Sequence, residues 1–282
     1  MRIMIDDAAD LPADLAEQEN IYIVPVNIMF GTEEFRSGPQ MTKPMFYEKV
    51  KSVGDHNFPK TSQPTPYQFL EAFEEVIAAG DTEIYCVTVS KKLSGTYASA
   101  IAARDEIGER ATIHIFDSYG ASAAQGFMGL KAARMFAQGA SVDEVTARLT
   151  RMREEMAVIF MIDTLEYAVK GGRVGSLRGT FASLLNIKPI MKLHDGEVVE
   201  EGRVRTPKKA RTYVIDRAKE MIGDRPVMLA AIHANVPDGG EEILRRAAES
   251  FESTERFLVD LTIPVAINLG PGALGLIAIP DD

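Results

Sequence analysis

Cysteine occurs once in this chain, at Cys86, so neither an internal disulfide nor a cysteine metal cluster can form. Cys86 sits inside an apolar run, where a lone thiol reads as inert core. A basic excess is missing as well. Lys and Arg number 31 against 41 Asp and Glu, a formal net charge of −10, and no lysine-rich run appears. That balance excludes an extended nucleic-acid surface. The amino terminus turns acidic at Asp6-Asp7, too early for a secretory signal. Long hydrophobic runs are scarce. Leu261 to Pro280 is uncharged and has the length of a membrane span, but Pro264, Asn268, Gly270, Pro271 and Gly272 break it. It reads as strand and buried loop, so the expectation is a cytoplasmic chain that is not an integral membrane protein.

Conventional catalytic signatures are also missing. There is no Walker loop, no Gly-x-Gly-x-x-Gly opening a helix after a strand, no Gly-x-Ser-x-Gly and no His-Glu-x-x-His. His56, His114, His194 and His233 are far apart with no ligand-like spacing, and a structural role is expected for His114 in its strand and His194 in its turn. No cofactor and no metal are expected.

What is present is an alternation of apolar runs and helical stretches. Strands are expected at Arg2–Ile5, Ile21–Phe30, Ile84–Val89 and Thr112–Phe116. Helices are expected at Met45–Val53, Tyr67–Ala79, Tyr97–Ile107, Ala123–Gln138 and Val142–Glu155, with Asp10 capping a further helix near Pro12. Gly126 and Gly129 are costly inside a helix, so something should pack close there. Such alternation implies a parallel sheet flanked by helices. The pattern changes near Met156. A strand at Ala157–Ile162, a short helix at Leu165–Val169, a helix before Ile187 and a hairpin turn at His194-Asp195-Gly196-Glu197 indicate a mixed α/β second half. The strand Val227–His233, helices at Pro207–Met221 and Gly239–Ser250 and two closing strands complete it. The expected class is α/β in two domains, residues 1–153 and 154–282, because this length suits two modest cores sharing a cleft.

The stretch Ile84 to Tyr97 organises the rest. A buried strand runs into a hydroxyl- and glycine-rich turn, with Ser94 where the next helix starts. Such a turn lies at the carboxyl edge of the sheet, where free helix N–H groups favour an anion. Other strand-exit loops carry Asp6 and Asp7, Thr61 and Ser62, Ser90, Asp117 and Ser118. Singly, each serves as a cap or turn residue, and Ser94 capping its own helix is the plainer reading. Together, neutral hydroxyls and helix-terminal N–H groups suit a carboxylate or phosphate.

Several motifs resemble the DegV family of bacterial fatty-acid-binding proteins. They are Asp6 with Ala9-Asp10-Leu11-Pro12, Val24-Pro25-Val26, Pro59-Lys60-Thr61-Ser62-Gln63-Pro64 and Ser90-Lys91-Lys92-Leu93-Ser94-Gly95-Thr96-Tyr97. Further along come Asp163-Thr164-Leu165-Glu166-Tyr167, Gly171-Gly172-Arg173, Asn186-Ile187-Lys188-Pro189-Ile190, His233-Ala234-Asn235 and Gly270-Pro271-Gly272. The resemblance implies a non-catalytic lipid-binding protein that holds a long-chain fatty acid, such as palmitate or oleate, in a cleft between its domains. It implies a place in lipid transport or fatty acid metabolism. It assigns the carboxylate to Thr61 and Ser94, with Ser62, the Gly95 N–H and Arg173 as further ligand-binding candidates. In some relatives the protein presents the fatty acid to a separate ATP-dependent kinase. Two positions depart from the family pattern. Asn268 stands where relatives often carry histidine, which replaces a charge-assisted contact by an amide. Asp7 follows Asp6 where serine is usual, and a carboxylate there disfavours a bound anion unless it points away. The alternatives are the same fold binding another acidic metabolite, or an enzyme using Ser94 as nucleophile for acyl or phosphoryl transfer.

Overall fold

A computed structural model of the chain describes residues 1–38, 40–52, 57–173 and 187–282. Val53, His56, Asn186 and the helix expected before Ile187 lie outside the described residues. The chain divides into two compact units, Met1–Arg153 with Thr262–Pro264, and Glu154–Leu261 with Val265–Asp282.

In the first unit, β1 (Arg2–Asp6), β2 (Ile21–Val24), β6 (Glu83–Thr88) and β7 (Thr112–Asp117) form a parallel sheet in the order β2-β1-β6-β7. Successive strand residues face opposite sides. Met4 and Cys86 therefore meet Phe69, Phe73, Ala100 and Ile107 from α3 (Pro66–Ala78) and α4 (Thr96–Ile107) on one face. On the other face, Ile5 meets α5 (Ala123–Ala137). A Cβ on Gly129 would stand 2.9 Å from Ile5 Cγ2, and one on Gly126 2.8 Å from the Ala9 carbonyl oxygen. The two helix glycines are thus sites of close approach, as expected. The helix α6 (Val142–Glu155) follows.

Three expectations are corrected here. The apolar run Ile21–Phe30 is two strands. Pro25 supplies no N–H for a ladder, and after it β3 (Asn27–Phe30) leaves the parallel sheet to pair antiparallel with β4 (Glu33–Arg36) and β5 (Lys60–Ser62) in the order β4-β3-β5. Asp10 does not cap α1 (Ala13–Gln18). It ends a 3₁₀ turn, Asp7–Ala9, in the left-handed region, and Asp6 caps that turn instead through the Ala8 N–H. The expected helix at Met45–Val53 begins earlier, as α2 (Lys43–Ser52).

The second unit holds one mixed sheet. Its strands are β8 (Ala157–Met161), β9 (Lys188–His194), β10 (Glu197–Val204), β11 (Val227–His233), β12 (Ser253–Asp260) and β13 (Leu274–Pro280), ordered β10-β9-β8-β13-β11-β12. β11 and β12 run parallel and the other neighbours antiparallel. The hairpin between β9 and β10 turns at Asp195 and Gly196, both with positive φ, as its Asp-Gly pair requires. The helices α8 (Pro207–Ile222) and α9 (Pro237–Ser250) cover the sheet with Val214, Ile215, Ala218, Ile243 and Ala247 against Ile159, Leu229 and Leu276. Two short helices complete the described chain, α7 (Leu165–Gly171) and α10 (Ile263–Leu269). The second lies inside the run read as strand and loop. Pro264 occupies its first turn, where a missing N–H costs nothing. Among the described residues, no helix is long and apolar enough to cross a membrane.

Candidate functional site

At the carboxyl edge of the parallel sheet, Asp6 anchors the turn that leaves β6. Its buried carboxylate accepts the Val89 N–H at 2.8 Å and the Gln125 Nε2 amide at 2.9 Å. The turn then closes on itself, because the Leu93 and Ser94 N–H groups both donate to the Ser90 carbonyl, at 3.0 and 3.1 Å. Asp117 holds the Lys91 N–H at 3.2 Å. Ser94 emerges half-buried at the start of α4. Its Oγ accepts the Thr96 N–H at 3.3 Å and lies 2.8 Å from Thr96 Oγ1. The expected helix cap is corrected: Gly95 occupies the cap position without a side-chain bond, and Ser94, one residue earlier, closes a local turn onto Thr96 instead.

Thr61 and Ser62 occupy β5 opposite Ile28 and Asn27 of β3. Being adjacent in a strand, they face opposite sides of the three-stranded sheet. The end of β5 is fixed from below. Asn27, 1% exposed, donates Nδ2 to the Gln63 carbonyl at 3.3 Å and to Gln68 Oε1 at 3.0 Å, and accepts Gln68 Nε2 at 2.8 Å. Gln68 completes a capping box with Thr65 at the start of α3. Gln63 then spans to the other motif: a Cβ on Gly95 would collide with Gln63 Nε2 and stand 2.8 Å from its Cδ. The glycine is needed for this approach. The two hydroxyl motifs, 33 positions apart at Thr61 and Ser94, are therefore brought together in one unit.

The remaining predicted residues lie in the second unit. The Arg173 guanidinium donates to the Gly171 carbonyl at 2.6 Å, and a Cβ on Gly171 would stand 3.3 Å from Asn268 Cγ. Arg173 and Asn268 thus gather around Gly171 at the end of α7. The loop after α10 packs on the same helix, with Gly270, at φ +82°, against the Tyr167 ring and Gly272 against Asp163.

Asp7 is largely buried in an acidic group with Asp6 and Asp10. Burial pushes its carboxyl up to about 7, reinforced by Asp10 and Asp6 and opposed by Ser37 and Lys43. Burial likewise raises Asp10 to about 6, opposed by Ser122, Thr262 and Lys43, and raises Asp6. Thr262 donates its N–H to Asp10 Oδ1 at 2.7 Å. With a value of about 7, Asp7 is about half protonated near pH 7. Three of the histidines are described. His114 stacks on Tyr85, His194 is exposed in the hairpin, and His233 lies 3.4 Å from Asp260.

Asn27, Gln63, Gln68 and Thr96 were not assigned from sequence. Gln63 and Thr96 stand inside the two motifs and could have been found there. A buried asparagine such as Asn27 leaves no local pattern.

A parallel α/β unit with paired hydroxyl motifs at its sheet edge, and a second unit built on a mixed sheet, define the class of protein. The family is shown directly: a family model described as "Uncharacterised protein, DegV family" matches residues 1–281, and the chain belongs to that family. Protein DegV of Bacillus subtilis is 32% identical over 97% of this chain and 97% of its own length. A Thermotoga maritima protein described as a fatty acid-binding protein is 29% identical over 98% of this chain and 96% of its own. The solved structure of a DegV family protein from Thermus thermophilus, described for its fatty acid binding, superposes with a TM-score of 0.91 at 28% identity, covering 99% of both chains.

Proposed function

We propose that this chain binds a long-chain fatty acid such as palmitate or oleate, with its carboxylate held by the hydroxyls of Thr61 and Ser94. The observation that carries the reading is the seating of Gln63 against Gly95, which joins the two hydroxyl motifs. Ser62 and the Gly95 N–H are the neighbouring candidates, and the start of α4 adds a favourable helix-end potential. Arg173 and Asn268, gathered at Gly171, are the second unit's candidates for polar contact with the ligand. The relatives described as fatty-acid-binding support the same ligand class.

The energetics allow it. Burying about 15 methylenes at ~0.8 kcal/mol each gives an upper limit of about 12 kcal/mol. Immobilising the ligand and its tail consumes several of these, which leaves micromolar or tighter binding. The tail supplies affinity and the hydroxyls set orientation. We read the protein as a non-catalytic cytoplasmic carrier that presents the fatty acid to a separate ATP-dependent kinase. Among the described residues the Ser94 hydroxyl pairs with the N–H and hydroxyl of Thr96, and neither is a base that would activate a nucleophile.

Extraction of the purified protein with organic solvent, followed by mass spectrometry, should release a near-stoichiometric long-chain fatty acid. The T61A/S94A double variant should bind palmitate about 10- to 100-fold more weakly, the loss of one or two charge-assisted hydrogen bonds. A protein that is empty and takes up no added palmitate would overturn the ligand class. Unchanged palmitate affinity in the double variant would overturn the head-group assignment.

A further inference from the structure

Thr96 is 1% exposed, and its hydroxyl oxygen lies 2.8 Å from Ser94 Oγ. Ser94 Oγ also accepts the Thr96 backbone N–H at 3.3 Å. A serine hydroxyl has one proton and two acceptor positions. If the Thr96 hydroxyl donates to Ser94, both acceptor positions of Ser94 are filled by Thr96. The Ser94 proton is then left to point at a ligand. If the bond runs the other way, that proton is spent on Thr96, and Ser94 has nothing to offer an anion. A carboxylate can only accept, so it is compatible with the first arrangement alone. A neutral alcohol of the same length can accept or donate and is compatible with both.

We infer that Thr96 is a positioning residue that commits the Ser94 proton to the ligand and so makes the site selective for an ionised carboxylate over an isosteric alcohol. The inference rests on the head-group reading of Ser94 given above. Its physical basis is a directed chain, Thr96 hydroxyl to Ser94 hydroxyl to carboxylate, in which each bond polarises the next. Thr96 acts through Ser94 and lies beneath it in the first turn of α4. Valine has nearly the shape of threonine and lacks the hydroxyl, whereas serine keeps the hydroxyl and loses a methyl group. The pair therefore separates the chemistry of the residue from its packing.

The experiment compares the affinities for palmitate and hexadecanol in the wild type, T96V, T96S and S94A. The ratio of the two affinities reads the head group, and hexadecanol binding alone reports that the fold and tail site are intact. Thr96→Val should lower the palmitate preference about 5- to 10-fold with hexadecanol affinity unchanged, and T96S should restore it. Bound [1-¹³C]palmitate, titrated by NMR, should show its carboxyl pKa raised in T96V relative to the wild type and to T96S. Should T96V fail to fold, T96C, a much weaker donor of similar size, is expected to give the same fall in ratio. A ratio that drops in S94A but not in T96V or T96C would overturn the role of Thr96 and leave the head-group reading standing. A ratio unchanged even in S94A would overturn both.

Discussion

Three aspartates, Asp6, Asp7 and Asp10, bend the amino-terminal turn, and burial raises the pKa of each carboxyl. Thr262 Oγ1 lies 2.7 Å from the Asp7 carbonyl and 2.5 Å from Asp10 Oδ1, yet one hydroxyl carries one proton. The Asp7 carbonyl and Asp10 therefore compete for that proton, and the Thr262 contact is one of those that oppose the rise of Asp10 to about 6. In the unfolded chain such carboxyls titrate near 3.9, so between that value and about 7 the folded protein binds the extra protons. Their contribution to stability is fully present below the unfolded value and is lost progressively as pH rises from about 4 to about 7. Denaturation midpoints measured from pH 3 to 8 should therefore show Asp7→Asn gaining on the wild type as pH rises. The gap at pH 8 should be up to about 4 kcal/mol and should close only below about pH 4. A gap that widens towards low pH would contradict this account. At this scale the place of Ser94 at the start of α4 was legible, but not that Gly95 takes the cap position. The true role of Asp10 was not, because its partner Thr262 lies 252 positions away.

Among the elements, legibility followed length and regularity. β1 and β6 are built on apolar runs, β7 alternates around His114, and α3 and α4 start and stop on recognisable residues, so all were found within a residue or two. β5 is three residues long and half-exposed, too short for any periodicity to register. α10 is uncharged throughout and so has no polar face to mark it as a helix. The three-stranded sheet escaped notice although it carries Thr61 and Ser62, since nothing local to β3 announces its change of partner. Its connection to α3 runs through Asn27. Replacing this residue by leucine strands the Gln63 carbonyl and the Gln68 Nε2 without partners, and each such loss costs about 1–3 kcal/mol. The N27L variant should lose about 2–3 kcal/mol by chemical denaturation. N27L/Q68L should lose less than the sum of the two single variants, because a vacated polar pair is cheaper than a broken one. Strict additivity would show that the amide pair is not coupled.

The whole molecule is acidic, at net −10, and its proposed cargo is a lipid. Fatty acids partition into bilayers, so uptake brings the protein to a membrane surface. An anionic surface repels it over a Debye length of about 30 Å at 10 mM salt and about 8 Å at 150 mM. Transfer of palmitate from phosphatidylglycerol vesicles should therefore speed up as salt is added, while transfer from phosphatidylcholine vesicles stays flat. Faster transfer from the anionic vesicles at low salt would reveal a local basic docking face that outweighs the overall charge. At this scale the two types of sheet were legible from the alternation of elements and its change near Met156. The seating of Gln63 against Gly95 was not, because it depends on packing across a glycine.

Cys86 has a practical consequence. Its side chain is wholly enclosed by the α3 and α4 layer, and burial, with Asp6 nearby, raises its thiol well above the usual range. The folded protein thus carries one thiol that a maleimide reagent should not reach or find ionised. A cysteine introduced at an exposed position, such as Tyr67 at the head of α3, becomes the single point of attachment. Because the chain also has no tryptophan, a fluorophore there would be read against tyrosine emission alone, without first stripping out the native cysteine.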